Sequence, residues 1–416
     1  MAQLYDFPYD KQETPPDVLP EPKHPAGNAL RRFGKRGRLD VPFFLLTLLL
    51  LAVGLVMLLS ASYADAYYET VGGDGPANPM YYFTRQLLFA IGGVGAMLVM
   101  SFIPLSFIRN LSIPALLVSA ALLLVVKLTG LTGNGAVRWI AIGGITFQPS
   151  ELMKAAVVLA FSDWIARQGD RMQSNRSLPI FLITLAVFAV LLLMQPHLSA
   201  TIILLLLGAL MLFAGGTKWY WFAAAAGLVA IAVILVRGNA EQVVAKIAEM
   251  PASGIKYQLN RISAWLDPES QKLADGWQIL QSLYAIGSGG LLGLGLGNSR
   301  QKYLYLPEEQ NDYIFPIICE ELGFVGATLI LLLFAVLILR GFWLAIQSKD
   351  PFERMMIIGF TGLLFIQVFL NVGVVTNLLP STGISLPFFS YGGTALLVQL
   401  AEVGIILSAS RNIENK

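Results

Sequence analysis

Long apolar runs, each close to twenty residues, recur along this chain from Val41 to the C-terminus, and no other feature limits its fold so strongly. A hydrocarbon core about 30 Å thick takes roughly 20 helical residues to cross. In lipid the backbone must satisfy its own hydrogen bonds, so such runs read as transmembrane helices. Ten are expected: Pro42 to Ser62, Gln86 to Ile103, Leu111 to Val126, Ser150 to Arg167, Leu178 to Gln195, Leu198 to Phe213, Trp219 to Val236, Ile314 to Leu339, Met356 to Thr376 and Thr394 to Ser410. One helix from Leu178 to Phe213 would be about 54 Å long, too long for a single crossing, so Gln195, Pro196 and His197 are expected to mark a turn. The expected fold class is all-α and polytopic. Composition agrees, since 56% of the 416 residues are hydrophobic and only 13% charged, where a soluble domain carries about 25% charged residues.

Residues 1–40 are polar and rich in proline, a composition that cannot bury a core, and are expected to form a disordered basic tail. The first apolar run is too long and too far from Met1 for a cleavable signal peptide. Counting Lys and Arg in the tails and short loops gives seventeen on the side of the N-terminus. The other side holds only Arg85, Lys127, Arg138 and Lys154. The positive-inside rule then makes both termini cytoplasmic, including the short tail 413–416. The one long loop, 237–312, falls outside the cell. Long loops usually carry function, and this one mixes Tyr257, Trp265, Trp277, Leu280 and Tyr284 with charges at helical spacing. It reads as re-entrant or interfacial helices over a cavity.

Net charge of +2 argues for neither nucleic acid nor an acidic partner. Cys319 is the only cysteine, and neither His24 nor His197 has a metal-binding partner at a fitting spacing. The glycines between Gly287 and Gly297 match no dinucleotide or phosphate-loop fingerprint and read as a tight loop. Without a Ser-x-x-Lys motif or a Gly-x-Ser-x-Gly elbow, acyl-enzyme chemistry is not expected.

Asp312 lies where the outer loop enters the eighth span, with Glu320 and Glu321 about 12 to 14 Å further along the helix. At about 100° per residue, Glu320 lies roughly 80° round from Asp312 and Glu321 about 180°, so one of them can share its cavity. Asp312 is either a helix cap or a functional carboxylate, and charges within a membrane favour function. Glu151 and Lys154, after Pro149 in a first turn, can pair on one helix face, or Lys154 can bind substrate. Arg138 and Trp139 suit a phosphate grip with a stacked sugar, or equally an interfacial anchor.

Several stretches carry a family likeness. They are Gly276 to Gly290, Gly295-Leu-Gly-Asn-Ser-Arg-Gln-Lys302, Tyr305-Leu-Pro-Glu308, Asn311-Asp-Tyr-Ile-Phe315, Glu320-Glu-Leu-Gly-Phe-Val-Gly326 and Leu379 to Gly393. Together with Gln148-Pro-Ser-Glu-Leu-Met-Lys154, they resemble the SEDS family (shape, elongation, division and sporulation) over residues 41–412. The Gly-Ser-Gly-Gly and Ser-Arg-Gln-Lys wording is closer to the division and sporulation branch than to the elongation branch. One departure is His197, where the family usually has Gln-Pro-Asp.

The resemblance implies a peptidoglycan glycosyltransferase that polymerises lipid II on the outer face of the bacterial cytoplasmic membrane during cell division. It also implies a class B penicillin-binding protein and other division proteins as partners. The family's essential outer-loop aspartate falls on Asp312. An acceptor hydroxyl would attack an anomeric carbon whose leaving group is a lipid pyrophosphate. One general base suffices, because the leaving anion needs charge stabilisation rather than protonation. Arg138, Lys154 and Arg261 are candidates to supply that charge, alone or with a divalent cation, Mg or Mn. Trp139, Glu151, Glu320 and Glu321 are further candidates for substrate binding. The rival classes are a lipid II flippase and a scaffold that only recruits the transpeptidase.

Overall fold

The computed structural model describes residues 37–71, 77–129, 131–133, 136–142, 145–250, 254–269 and 275–413; the tail expected over residues 1–36 lies outside them. The helices corresponding to the ten expected spans are α1 Val41–Val71, α2 Tyr81–Phe102, α3 Leu105–Thr129, α4 Pro149–Gln168, α5 Leu178–Leu193, α6 Leu198–Ala214, α7 Trp219–Gly238, α11 Ile314–Gln347, α12 Pro351–Val375 and α13 Gly393–Ile413. Between α7 and α11 lie α8 Ala240–Glu249, α9 Gly254–Leu266 and α10 Asp275–Ser288. Among the described residues eight helical segments are long and apolar enough to cross a membrane. The two expected spans outside that set depart for different reasons. α6 is apolar but short. α4 carries Glu151, Lys154, Asp163 and Arg167, yet 13 of its 20 residues are buried among the other helices.

Helix starts and ends follow local chemistry. Asp40 caps α1, its Oδ1 accepting from Phe43 N at 2.9 Å, and its carboxylate also pairs with Arg340 of α11 at 2.6 Å. Asp350 accepts from Phe352 N and Glu353 N at the start of α12, with Pro351 in the first turn. The turn after α5 contains Gln195, Pro196 and His197 as expected. Gly37 N donates to Arg411 O, and Asp40 N to Ser410 Oγ. These contacts put residues 37–40, Arg340 and the end of α13 together at one end of the bundle.

Lipid is as apolar as leucine, so close packing rather than water exclusion holds such a bundle together. α12 is central, with 18 of its 25 residues buried, whereas α7 has none. Two features depart from the sequence expectation. The stretch around Arg138 is a small antiparallel sheet, β1 Leu131–Gly133, β2 Ala136–Ile142 and β3 Ile145–Phe147, with Ile140 opposite Phe147.

The glycine run is not a simple loop either. α11 breaks at Gly323, whose φ is +68°, and the run fills the break. Leu294 N and Gly295 N donate to the carbonyls of Glu320 and Glu321, while Phe324 N and Val325 N donate to those of Gly290 and Leu291. The broken helix is thereby re-satisfied, as a membrane interior demands. A Cβ at Gly293 would strike the Glu321 carbonyl, so the backbones approach this closely only because the residue is glycine.

Candidate active site

A cavity of about 1060 Å³ lies where α2, α4, α6, α12 and α13 meet the sheet and the outer helices α9 and α10. Asp312 lines it from the turn before α11. The backbone carbonyl of Asp312 accepts from Asn371 Nδ2 at 2.8 Å, and the same nitrogen donates to Ile384 O at 2.7 Å. α12 thus ties the turn to the segment before α13. Gly383 faces the carboxylate, where a Cβ would lie 2.6 Å from Oδ2. Among the described residues nothing hydrogen-bonds to that carboxylate. It stands deep in a narrow cleft, walled by protein yet in reach of solvent. Burial first, then the negative charge of Glu308, pushes its pKa up to about 7 against the pull of Arg261 and Arg138.

Glu308 takes part in the turn that positions this carboxyl. Its φ is +60°, rare for a residue with a side chain. Its carbonyl accepts from Asn311 N and Tyr313 N, and its carboxylate accepts from Asn311 Nδ2. That closes the backbone into the start of α11. A strained residue so placed beside a cavity is a mark of function rather than of folding alone.

The opposite wall is cationic. Arg138, Trp139, Lys154 and Arg261 all line the cavity, with Arg85 beyond the sequence expectation. Arg138 is held by β2 and donates to Pro196 O at 2.8 Å. Arg261 of α9 donates to Ser381 O at 3.3 Å. Lys154 is buried and pairs with Glu151 at 2.8 Å, the pairing that the spacing allowed. His197 is buried beside them, its Nε2 3.4 Å from the Gln148 amide nitrogen. Burial first, then Arg138 and Lys154, holds its pKa well below the ordinary histidine value.

Glu320 and Glu321 do not line the cavity. They were expected to contribute to substrate binding on helical angles that left their side of α11 open, but the glycine run packs there. Glu320 accepts from Ser288 Oγ, Ser299 Oγ, Arg300 N and Gln301 N. Glu321 pairs with Lys302 at 3.1 Å and accepts from Ser60 Oγ of α1 at 2.7 and 2.8 Å. Both carboxylates therefore anchor the segment 288–302.

Sequence reasoning also missed Trp277, Glu308, Asn311 and the 381–393 segment as cavity wall. Each lies in a stretch that carries the family likeness, and the hairpin left a local signal as well, Asn134-Gly135 beside the alternating Val137, Trp139 and Ala141. Among the described residues no three acidic, histidine or cysteine side chains converge on a common point for a metal ion. A divalent cation would therefore lack an all-protein set of carboxylate ligands here. Chemically, the cavity offers one under-partnered carboxyl near neutrality facing several cations. This suits deprotonation of a hydroxyl beside a departing anion.

The chain is similar to known proteins. The family profile described as cell cycle protein, FtsW/RodA/SpoVE, matches residues 41–415. Stage V sporulation protein E of Bacillus subtilis is 38% identical over 89% of this chain and 97% of its own. The probable peptidoglycan glycosyltransferase FtsW of Trichlorobacter lovleyi is 37% identical over 92% and 96%. Among solved structures, a chain of a peptidoglycan synthase complex that coordinates polymerization and crosslinking aligns with TM-score 0.72 and 26% identity, over 91% of this chain and 99% of that one. The Thermus thermophilus rod shape determining protein RodA aligns with TM-score 0.62 and 25% identity, over 90% and 97%. With nearly every residue from Val41 onwards matched in this way, the chain belongs to the FtsW/RodA/SpoVE family of cell cycle proteins.

Proposed function

We propose that this protein is a peptidoglycan glycosyltransferase that polymerises lipid II at the outer face of the cytoplasmic membrane, with Asp312 as its general base. The observation that carries the reading is the carboxyl of Asp312, without a hydrogen-bond partner among the described residues and with a pKa near 7, facing Arg138, Lys154 and Arg261 across one cavity. A base poised near the working pH balances ionised fraction against proton affinity.

In this mechanism the acceptor hydroxyl gives its proton to Asp312 while its oxygen attacks the anomeric carbon. The lipid diphosphate leaves as an anion next to the arginines and lysine, and Trp139 and Trp277 offer sugar-stacking surfaces.

The arrangement favours this reading over a flippase. A flippase needs polar groups along a path to the inner face, but the polar lining of the cavity within the helices stops at Lys154, Gln367 and Gln399, all in the outer halves of α4, α12 and α13. Below it Asp163 is closed off by Arg109 and Arg167 at 2.6 and 2.8 Å. A class B penicillin-binding protein is the proposed partner, docking along α11 and α12, and the division septum the proposed location. The decisive experiment is polymerisation of purified lipid II with and without that partner. Failure of wild type to make glycan under either condition overturns the reading, and an Asp312→Asn variant as active as wild type leaves a polymerase in which Asp312 is not the base. Cysteines placed near Asp275 should react from outside; reaction only from the cytoplasm would invert the topology.

A further inference from the structure

His197 is a buried titratable group of the cavity wall that the proposed mechanism leaves unused. It is 5% exposed, lines the cavity, and its Nδ1 has no hydrogen-bond partner among the described residues. A buried polar atom without a partner costs the fold free energy unless a ligand or water supplies one. The Gln148 amide nitrogen lies 3.4 Å from Nε2. With that nitrogen donating, the ring proton lies on Nδ1, as a donor without an acceptor.

A second observation converges on the same point. His197 is the N-cap of α6, a helix of 17 residues, and Ser199 and Ala200 of its first turn line the cavity too. The first N–H groups of a helix lack intrahelical acceptors and carry the positive end of its dipole. Charged groups facing His197 are Arg138 from β2 and Lys154 from α4, the latter already paired with Glu151. No carboxylate stands at position 197, where the resemblance leads one to expect aspartate.

We propose that the N-terminus of α6, together with His197, Arg138 and Lys154, is the binding site for the lipid diphosphate, and that His197 takes up a proton when the diphosphate binds. The inference rests on the glycosyltransferase reading and assigns the leaving group to one wall of its cavity. The proton comes from bulk water and returns there when the diphosphate leaves. Before binding, burial and the two cations keep the imidazole neutral. Two phosphate charges reverse the sign of that field. Protonation puts a hydrogen on Nε2 as well, and the Gln148 amide turns over to present its oxygen, which needs no extra space.

The test uses purified Asp312→Asn protein, in which turnover is slowed and the aspartate no longer titrates. It is titrated with lipid II by calorimetry at pH 7 in two buffers of different ionisation enthalpy. Binding should take up a substantial fraction of one proton. Adding His197→Leu should abolish the uptake and weaken binding about tenfold, the loss of one charge-assisted hydrogen bond. His197→Gln, which keeps a donor but cannot titrate, should abolish the uptake with a smaller loss of affinity, and His197→Asp should bind worst.

A lipid monophosphate of the same tail should depend less on His197. Inorganic pyrophosphate should compete for the site in a His197-dependent way if the diphosphate alone is read, and fail to compete if the lipid headgroup is needed; either result supports the site. Unchanged proton uptake in the His197→Leu double variant, or His197→Asp binding as tightly as its parent, overturns the inference and leaves the polymerase reading standing. No binding of lipid II to the Asp312→Asn parent would instead overturn the reading itself.

Discussion

The carboxyl of Asp312 faces a cavity with a glycine against it and no hydrogen-bond donor among the described residues, whereas those of Glu320 and Glu321, eight and nine residues further along, are saturated with partners. All three are acidic groups near the outer end of one helix, Asp312 half-buried at the cavity and the two glutamates fully buried. Partner count separates them. A buried carboxylate with a full set of donors is a structural anchor, because its acceptor capacity is already taken up by the fold. One left short of donors holds its proton more tightly and is fit to exchange it.

The sharpest way to break this comparison is to remove the basic oxygen of Asp312 while keeping its size. Asp312→Asn should slow lipid II polymerisation by roughly 10² to 10⁴ fold. It should not lower stability at neutral pH, since no hydrogen bond to the carboxylate among the described residues is lost. An Asn variant that polymerises normally, or one that fails only because it unfolds, would make Asp312 another anchor.

The converse holds for Glu321. Glu321→Gln leaves Lys302, 3% exposed, without its anion, and removing one partner of a buried pair is expected to cost about 3–5 kcal/mol. The loss should appear in unfolding measurements in detergent, with turnover of the surviving folded protein near wild type. Ser60→Ala is milder. It deletes the hydroxyl shared by both Glu321 oxygens and should cost about 1.5–3 kcal/mol, the worth of a hydrogen bond to a charged group. If either variant lost turnover without losing stability, the glutamates would belong to the site after all.

Much of this contrast lay within reach of the sequence, and its limits have physical causes. The spans were readable because lipid forces one solution on an apolar backbone, and α4 because Pro149, Glu151 and Lys154 announce a helix start with an internal pair. Asp312 stood out by its position at a helix start and by family likeness. Glu320 and Glu321 turn to the segment 288–302 rather than to the cavity, which angular arithmetic on an open helix face cannot report. Gly323 breaks that helix, and a segment some thirty residues earlier in the chain fills the gap, a long-range pairing that local spacing cannot report. The cavity wall drew on residues from Arg85 to Gln399 for the same reason. The hairpin bearing Arg138 had a local cue, obscured by the apolar and glycine content around it.

The last prediction concerns pH and has the smallest effect per step. A general base works only when ionised, so with the carboxyl of Asp312 at about 7 the polymerisation rate should fall tenfold for each pH unit below that value and level off above it. Stability should move the other way. A carboxyl whose pKa is higher in the folded protein than the ordinary 3.8 binds its proton more tightly when folded. Its contribution to stability is therefore fully present below about 4 and is lost as pH rises through about 7. Burial is the main cause of the shift and the charge of Glu308 the next. Glu308→Gln should accordingly move the acid limb of the rate profile to lower pH and leave its slope unchanged. Glu321→Gln should leave the limb where it is, because its partners Ser60, Ser299 and Lys302 do not line the cavity. A limb that moves with Glu321 and ignores Glu308, read from initial rates between pH 5 and 9 on the order of one unit apart, would show that the anchor and the base are not separate devices.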